Sequence, residues 1–202
     1  MKFNSILFIT FCLLQALICS TVGLNEQSLK DAATKTLKYS RVYHQGTTKL
    51  EDKGILQNVK FNYSPLTLDN IQFRFDEYGL LHIRFANLKA TVEGNRKIGR
   101  FTSFKVFSAK INNFSWEQVF VVSKRDLGNG KLDIKYKPTE ESPVNFSITL
   151  HNQNNSPDKK KFNEAMEKFT LASLKSLDFT PIKNQLKKVA QLILETLQSD
   201  LK

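Results

Sequence analysis

The feature that most constrains the fold of this chain is residues 50–150, where apolar and polar side chains alternate along the sequence. A period of two is typical of strands with one buried face. The clearest sets are Val59, Phe61 and Tyr63; Ile71, Phe73 and Phe75; Leu132, Ile134 and Tyr136; and Val144, Phe146, Ile148 and Leu150. Turn-forming residues separate these sets and no helical segment lies between them. The run therefore predicts an antiparallel meander, with at least two further strands in residues 101–122.

One strand of the meander is predicted to contain a bulge. Leu81, Ile83 and Phe85 share one phase, and the apolar phase then slips by one residue across Asn87 to Leu88. A slip of one residue turns the buried set to the other face of the sheet unless an extra residue absorbs it. The pattern therefore predicts a β-bulge near Asn87.

The segment after this strand has the composition of a basic turn. Gly94, Asn95 and Gly99 provide turn-forming residues between two strands. The basic residues of the segment are Arg96, Lys97 and Arg100. We therefore expect a hairpin over residues 94–100 whose tip is positively charged and docks on anionic surfaces.

Helical spacing flanks the meander. Residues 25–43 open with a helical pattern, and residues 162–177 place Phe162, Met166, Phe169, Ser173 and Leu177 on one side of a second helix. Residues 178–181 interrupt that helix because proline disfavours helix interiors. The final stripe is Ile182, Leu186, Val189, Ala190, Ile193 and Leu197. This order predicts an α+β fold with an N-terminal helix, an antiparallel meander and a long C-terminal amphipathic helix.

The first residues predict export. Lys2 is followed by an almost wholly apolar run over residues 6–19 and then by small residues, which is the layout of a secretory signal peptide over residues 1–20. Cleavage after Ser20 or after Gly23 would leave a small residue at the cut. The apolar run is shorter than the roughly 20 residues of a membrane-spanning helix. We expect an extracellular protein whose residues 24–202 form one domain.

The cysteine positions and the net charge limit which kinds of site and which partners we expect. Both cysteines, Cys12 and Cys19, fall in the predicted leader, so the mature chain has no disulfide, zinc thiolate or cysteine nucleophile. The net charge of +11 suits anionic lipid head groups, glycans or nucleic acid. Export makes nucleic acid the least favoured of these partners. The sequence leaves the oligomeric state open.

Three asparagines begin glycosylation acceptor triplets. Asn62, Asn113 and Asn145 are each followed, two residues later, by serine. Each lies on the polar phase of an alternating segment. They are candidate glycosylation sites.

The sequence carries no recognisable catalytic signature. His44, His82 and His151 fall in separate segments, which gives no local support for a metal site. No nucleophile elbow surrounds a serine, and Asp76 and Glu77 are expected to be solvated turn residues. We therefore predict a protein that is not an enzyme and has no metal or cofactor.

The order of elements, with the stretches SPLTLDNIQFRFDEYGLLHIRFANLKATVEG, SFKVFSAKINNFSWEQVFVV and GKLDIKY, resembles the tubular lipid-binding (TULIP) superfamily. The resemblance is to the N-terminal barrel of bactericidal/permeability-increasing protein and lipopolysaccharide-binding protein. It implies a bent sheet around a long helix, acyl chains held in an elongated apolar cavity, and docking on an anionic membrane or on lipopolysaccharide. The chain departs from those members in lacking a mature cysteine and in having Asn95 or Arg96 where they carry tryptophan.

The resemblance also implies which residues line the cavity. The candidates are Phe73, Phe75, Leu81, Ile83, Phe85, Phe146, Ile148, Ile182, Leu186, Val189, Ile193 and Leu197. A packed core would use the same residues. A helix-grip fold would explain the C-terminal helix, but it fits a helix before all the strands less naturally. A second function stays open at this stage, a cationic host-defence or adhesion protein that binds membranes or glycans without carrying lipid.

Overall fold

The structure is a computed structural model, and it describes residues 24–39, 46–97, 104–128, 131–150 and 160–201. The predicted signal peptide, its cleavage positions, Gly99, Arg100, His44 and His151 lie outside the described residues.

The described residues form an α+β fold in which one α-helix precedes the strands of a single sheet in the sequence and two α-helices follow them. The strands are β1 (Gly46–Lys49), β2 (Leu56–Tyr63), β3 (Ile71–Phe75), β4 (Leu81–Lys97), β5 (Phe104–Gly128), β6 (Lys131–Glu141) and β7 (Asn145–Leu150). The helices are α1 (Glu26–Tyr39), α2 (Lys160–Lys175) and α3 (Thr180–Leu201), with a short 3-10 turn at Leu68–Asn70. The predicted fold class and element order are confirmed.

Two long strands, β4 and β5, form the spine of the sheet, and every described pairing is antiparallel. β2 and then β3 follow one edge of β4, while β6 and then β7 follow the other edge of β5. The sheet is thus a meander of four rows: β2 with β3, then β4, then β5, then β6 with β7. β1 pairs only with β2 in this sheet, so the described strands form an open sheet and not a closed barrel.

Bulges let the long strands bend without ending. Asn58, Asn87 and Asn113 all have left-handed backbone angles, with φ of 51°, 55° and 55°. Asparagine tolerates this conformation better than most residues. The pairing register shifts beside each of them, which confirms the predicted bulge at Asn87. Residues 104–128 form one strand instead of the two expected from sequence, because the bulge at Asn113 shifts the phase while pairing continues.

The buried side of the sheet, called here the inner face, carries the core. On β4 the buried positions change from Leu81, Ile83 and Phe85 before the bulge to Ala90 and Val92 after it. These side chains and the stripe of α3 belong to one continuous apolar cluster. The predicted α3 stripe is confirmed, since Ile182, Leu186, Val189, Ala190, Ile193, Leu194 and Leu197 are all buried.

The other helices are attached differently. α1 packs on α3, where the hydroxyls of Thr36 and Thr196 lie 3.0 Å apart and Lys35 pairs with Asp200. The predicted buried side of α2 is wrong at Phe169, whose residue surface is 65% exposed. Thr170 and Leu174 are buried instead, because the helix is rotated by about one residue relative to the predicted stripe.

Candidate functional site

The structure brings the twelve predicted lining residues together. Nine of them are buried in the continuous cluster, while Phe75, Phe146 and Ile148 are partly buried against it. They come from β3, β4, β7 and α3, so the facing surfaces of the sheet and the helix are both apolar. That a ligand lies between them remains a prediction.

Four aromatic rings gather where α3 begins. Phe179 lies between α2 and α3, and its ring centroid is 4.9 Å from that of Phe146, 5.8 Å from Phe114 and 6.0 Å from Phe61. Such edge and tilted contacts are favourable beyond the area they bury. Phe179 was not singled out from the sequence, because it falls in the interruption between two helical patterns.

Polar atoms are set into this apolar surface without partners among the described residues. Trp116 is 1% exposed and stacks on Phe85 at 6.1 Å, and its Nε1 is buried with no acceptor. The Oε1 atom of Gln185 is likewise buried with no donor, although its Nε2 donates to Thr48 Oγ1 at 3.1 Å. Buried donors and acceptors without partners are uncommon in native structures.

An ion pair network lies beside Trp116. Glu141 accepts from Lys187 at 2.7 Å and from Lys183 at 2.9 Å. These hydrogen bonds, first that of Lys187, lower the pKa of Glu141. Lys187 also lies 6.0 Å from the centroid of the Trp116 ring. Lys183 and Lys187 of α3 are therefore both paired with the last residue of β6.

The expected basic tip is arranged differently from the sequence prediction. Gly94 and Asn95 are not turn residues, because β4 continues to Lys97 and pairs them with Phe107 and Val106. A Cβ atom on Gly94 would meet the Phe107 ring and the Gln57 carbonyl at 3.0 Å, so packing explains this glycine. Residues 98–103 lie outside the described residues.

Arg96 and Lys97 have opposite surroundings. Arg96 continues the inner phase of Ala90 and Val92, and its Nη1 donates to Thr170 Oγ1 of α2 at 3.3 Å. Its Nε is buried and has no acceptor among the described residues. Lys97 is exposed to solvent. Of the two predicted docking residues that the structure describes, Lys97 is exposed and Arg96 is half-buried.

The outer face of the sheet carries a polar cluster that sequence reasoning missed. His82 Nδ1 lies 2.9 Å from Glu117 Oε1, and His82 Nε2 lies 3.1 Å from Asp76 Oδ2. Asp76 is not a solvated turn residue, because it also accepts from the backbone N–H groups of Leu80 and Tyr78. The hairpin register between β3 and β4, once recognised, would have placed Asp76 beside His82.

The cluster shifts the titration of two members. Burial lowers the pKa of His82, but the hydrogen bonds with Glu117 and Asp76 outweigh it, and the pKa is raised. Burial raises the pKa of Asp76, but the hydrogen bonds from His82 and the backbone outweigh it, and the pKa is lowered. Arg74 Nη2, 3.1 Å from Nδ1, opposes the charge on the ring. In its imidazolium form, His82 donates from Nδ1 to Glu117 and from Nε2 to Asp76.

The three candidate glycosylation asparagines lie at the surface. Asn113 and Asn145 are exposed, and Asn62 is half-buried with its Oδ1 accepting from Thr47 Oγ1 at 2.7 Å. Asn113 occupies a bulge, which turns its backbone away from regular pairing. Their modification remains a prediction.

Two searches of the described residues bear on other kinds of site. Over these ranges, no three histidine, cysteine, aspartate or glutamate side chains converge to hold a metal ion. None of the described helices combines the length and the apolar character needed to cross a membrane. Neither finding assigns a function.

The chain was compared with known proteins. No family model matches it, and no curated protein matches it. Among solved structures, it is similar to Takeout 1 from Epiphyas postvittana, over 87% of this chain and 89% of that chain, with 15% identity and a TM-score of 0.39. The likeness is too distant to assign a family or a ligand.

Proposed function

We propose that the protein is a secreted lipid-binding protein of the tubular lipid-binding kind, which holds acyl chains between the inner face of its sheet and α3. One observation carries the proposal. The inner face and the α3 stripe form a single apolar surface, and the Trp116 Nε1 within it and the Gln185 Oε1 on α3 are buried without a partner among the described residues.

Acyl chains suit such walls for a simple reason. Each methylene moved from water to an apolar surface contributes about 0.8 kcal/mol, so a long chain is held without specific polar chemistry. A buried donor or acceptor without a partner costs roughly 1–3 kcal/mol, so the protein gains when a ligand supplies that partner. Both terms favour an amphiphile over a purely apolar molecule.

Docking and export complete the proposal. Lys97 is exposed at the end of β4, and an anionic lipid surface would attract it together with Arg100 and the general positive charge of the chain. The predicted leader would deliver the protein outside the cell. A carrier that loads from a membrane needs both properties.

The direct test is mass spectrometry of organic extracts from natively purified protein, with displacement of a fluorescent fatty acid as the quantitative assay. We expect co-purified lipid and saturable displacement. Protein that carries no lipid and does not bind the fluorescent fatty acid would refute the proposal.

A pair of variants separates a ligand space from a filled core. Ala109 is fully buried on the inner face of β5, and Lys110 is exposed on the outer face. If the space accepts ligand, Ala109→Phe should occupy part of it, lowering fatty-acid affinity while the melting temperature stays near that of the parent. Lys110→Phe adds the same ring outside and should leave affinity unchanged. In a filled core, Ala109→Phe would instead destabilise the fold by about 1–3 kcal/mol through overpacking.

A further inference from the structure

The guanidinium of Arg96 lies at one end of the apolar inner face. Its position on β4 is in phase with Ala90 and Val92, which are buried, and it is paired across the sheet with Leu56, which is fully buried. An arginine at this point interrupts an otherwise apolar phase. Its neighbour Lys97, in the opposite phase, is exposed.

The described residues satisfy Arg96 only in part. Its described partner is the neutral hydroxyl of Thr170, which α2 holds in a fully buried position 3.3 Å from Nη1. Over the described ranges, no aspartate or glutamate oxygen pairs with it, and its Nε is buried without an acceptor. A partly buried cation without an anion is unfavourable, so this side chain calls for a negatively charged partner.

The Nε and Nη2 edge of the Arg96 guanidinium determines which kind of anion fits. Nη1 is directed to Thr170, while Nε and Nη2 form a two-donor fork on another edge of the same plane. A carboxylate matches this fork with two parallel hydrogen bonds, which makes the contact both directional and charge-assisted.

The length of the inner face is sufficient for the rest of such a molecule. Six residues of β4 separate Arg96 from Ala90, which is roughly 20 Å at about 3.3 Å per residue. A bilayer's hydrocarbon core is about 30 Å thick and contains two acyl chains end to end, so one chain needs about half of that. A head group at Arg96 would thus place its tail wholly along buried apolar positions.

We propose that Arg96 is the head-group site of the lipid ligand and that the ligand is a single-chain amphiphile with a carboxylate, of the fatty-acid class. This inference rests on the proposed function and specifies its ligand. Thr170 acts as a positioning residue, which orients the guanidinium and leaves its Nε edge toward the inner face.

The test compares palmitic acid with hexadecanol, which has the same chain length and no charge, as competitors of a fluorescent fatty acid. Arg96→Gln should weaken palmitic acid binding by about 10- to 100-fold, the range expected for hydrogen bonds to a charged group. Hexadecanol binding should change less than about threefold by the same conversion. Arg96→Lys should show an intermediate loss, because it keeps the charge and loses the fork.

The matched control is Arg84→Gln, since Arg84 is an exposed arginine of the same strand. It should leave both ligands unaffected, and the melting temperature of each variant checks its folding. Equal losses for palmitic acid in the Arg84 and Arg96 variants, or no loss in either Arg96 variant, would overturn the head-group site. If hexadecyl phosphate, the phosphate monoester of hexadecanol, binds more tightly than palmitic acid with the same dependence on Arg96, the assignment of a carboxylate is overturned.

If the parent binds neither palmitic acid nor hexadecanol, the proposed lipid-binding function fails. If it binds both equally and Arg96→Gln changes neither affinity, lipid binding stands and only the head-group site fails. The two failures are therefore distinguishable in one set of titrations.

Discussion

Helices α2 and α3 follow each other directly in the chain but are attached to the sheet in different ways. α3 buries seven apolar side chains in the core, and its Lys183 and Lys187 are paired with Glu141. Among the described side chains of α2, the buried ones are Thr170 and Leu174, and Phe169 is largely exposed. The polar Thr170 is in contact with the unsatisfied Arg96.

The difference indicates a division of labour. α3 is held by apolar burial, and its Lys183 and Lys187 are both paired with Glu141. α2 places a hydroxyl inside and a phenylalanine outside, and in the proposal above that hydroxyl positions the head-group site. The predictions below test this division, beginning with the largest effect.

The largest effect is expected for a charge on the buried stripe of α3. Ile193→Asp should lower the free energy of unfolding by about 3–5 kcal/mol, because Ile193 is fully buried and the carboxylate would have no partner there. Chemical denaturation measures the change. Asn184→Asp, at an exposed position of the same helix, should change it by less than about 0.5 kcal/mol. Equal stability of parent and Ile193→Asp would show that the stripe faces elsewhere.

The second prediction concerns which side of α2 is buried. Leu174→Ala should cost about 2–4 kcal/mol, because Leu174 is fully buried. Phe169→Ala removes a larger side chain and should cost less than about 0.5 kcal/mol, because that ring is mostly in solvent. If Phe169→Ala were the more damaging change in thermal unfolding, α2 would present the face predicted from its sequence.

The third prediction uses the outer face as a reference, since no described hydrogen bond of His82 reaches α2 or α3. His82→Gln should cost roughly 1–2 kcal/mol at pH 6, because the two carboxylates lose a charged donor. Combined with Ile193→Asp or with Leu174→Ala, it should change the free energy of unfolding by the sum of the two single effects, since distant sites are additive. Coupling of more than about 0.5 kcal/mol to either helix would contradict this separation.

The same cluster has a defined pH dependence. The raised pKa of His82 means that its contribution is complete below the ordinary value of 6.5 and is lost as the pH rises through the folded-state value. The lowered pKa of Asp76 means that its contribution is complete above 3.8 and is lost as the pH falls through the folded-state value. The destabilisation caused by His82→Gln should therefore be greatest near pH 5 and smaller near pH 8. A destabilisation that grew between pH 6.5 and pH 8 would reverse the assigned shift.

The smallest effect is expected at the ion pairs of α3. Glu141→Gln should cost less than about 1 kcal/mol, because Lys183, Lys187 and Glu141 are all partly exposed and water screens their pairing. The lowered pKa of Glu141 means that the contribution is present above 4.5 and is lost as the pH falls through the folded-state value. Denaturation at pH 7 and at pH 3 measures it, and a difference larger at pH 3 than at pH 7 would contradict the sign.

Much of the candidate site could be predicted because it depends on periodicity. The alternation of Leu81, Ile83 and Phe85 and the helical spacing from Ile182 to Leu197 each specify one buried face, and burial of that face is strongly favoured. The bulge at Asn87 was also predictable, since the phase of the apolar residues has to slip somewhere. Local pattern therefore determined the two walls and the order of the elements.

Other features depended on pairing between distant residues. The register of β4 against β2 and β5 decided that Gly94 and Asn95 are strand residues and that Arg96 turns inward. By composition alone, residues 94–100 resemble a turn, since glycine and asparagine are common in turns. Glycine also occurs in strands where a neighbouring side chain needs space, as the Phe107 ring does beside Gly94. The partners of Arg96 and His82 likewise come from α2 and β5, which lie 74 and 35 residues away.

The sequence by itself determined the helices, the alternating strands, the basic charge and the apolar stripes, because each follows from residues close together in the chain. Only the tertiary structure decided which way α2 is rotated, which arginine faces inward and which acids surround His82. A rotation of one residue on a short helix, or a change of register between strands, alters side-chain environments without changing local composition. For that reason the walls of the site were predictable from sequence, and its polar contacts were not.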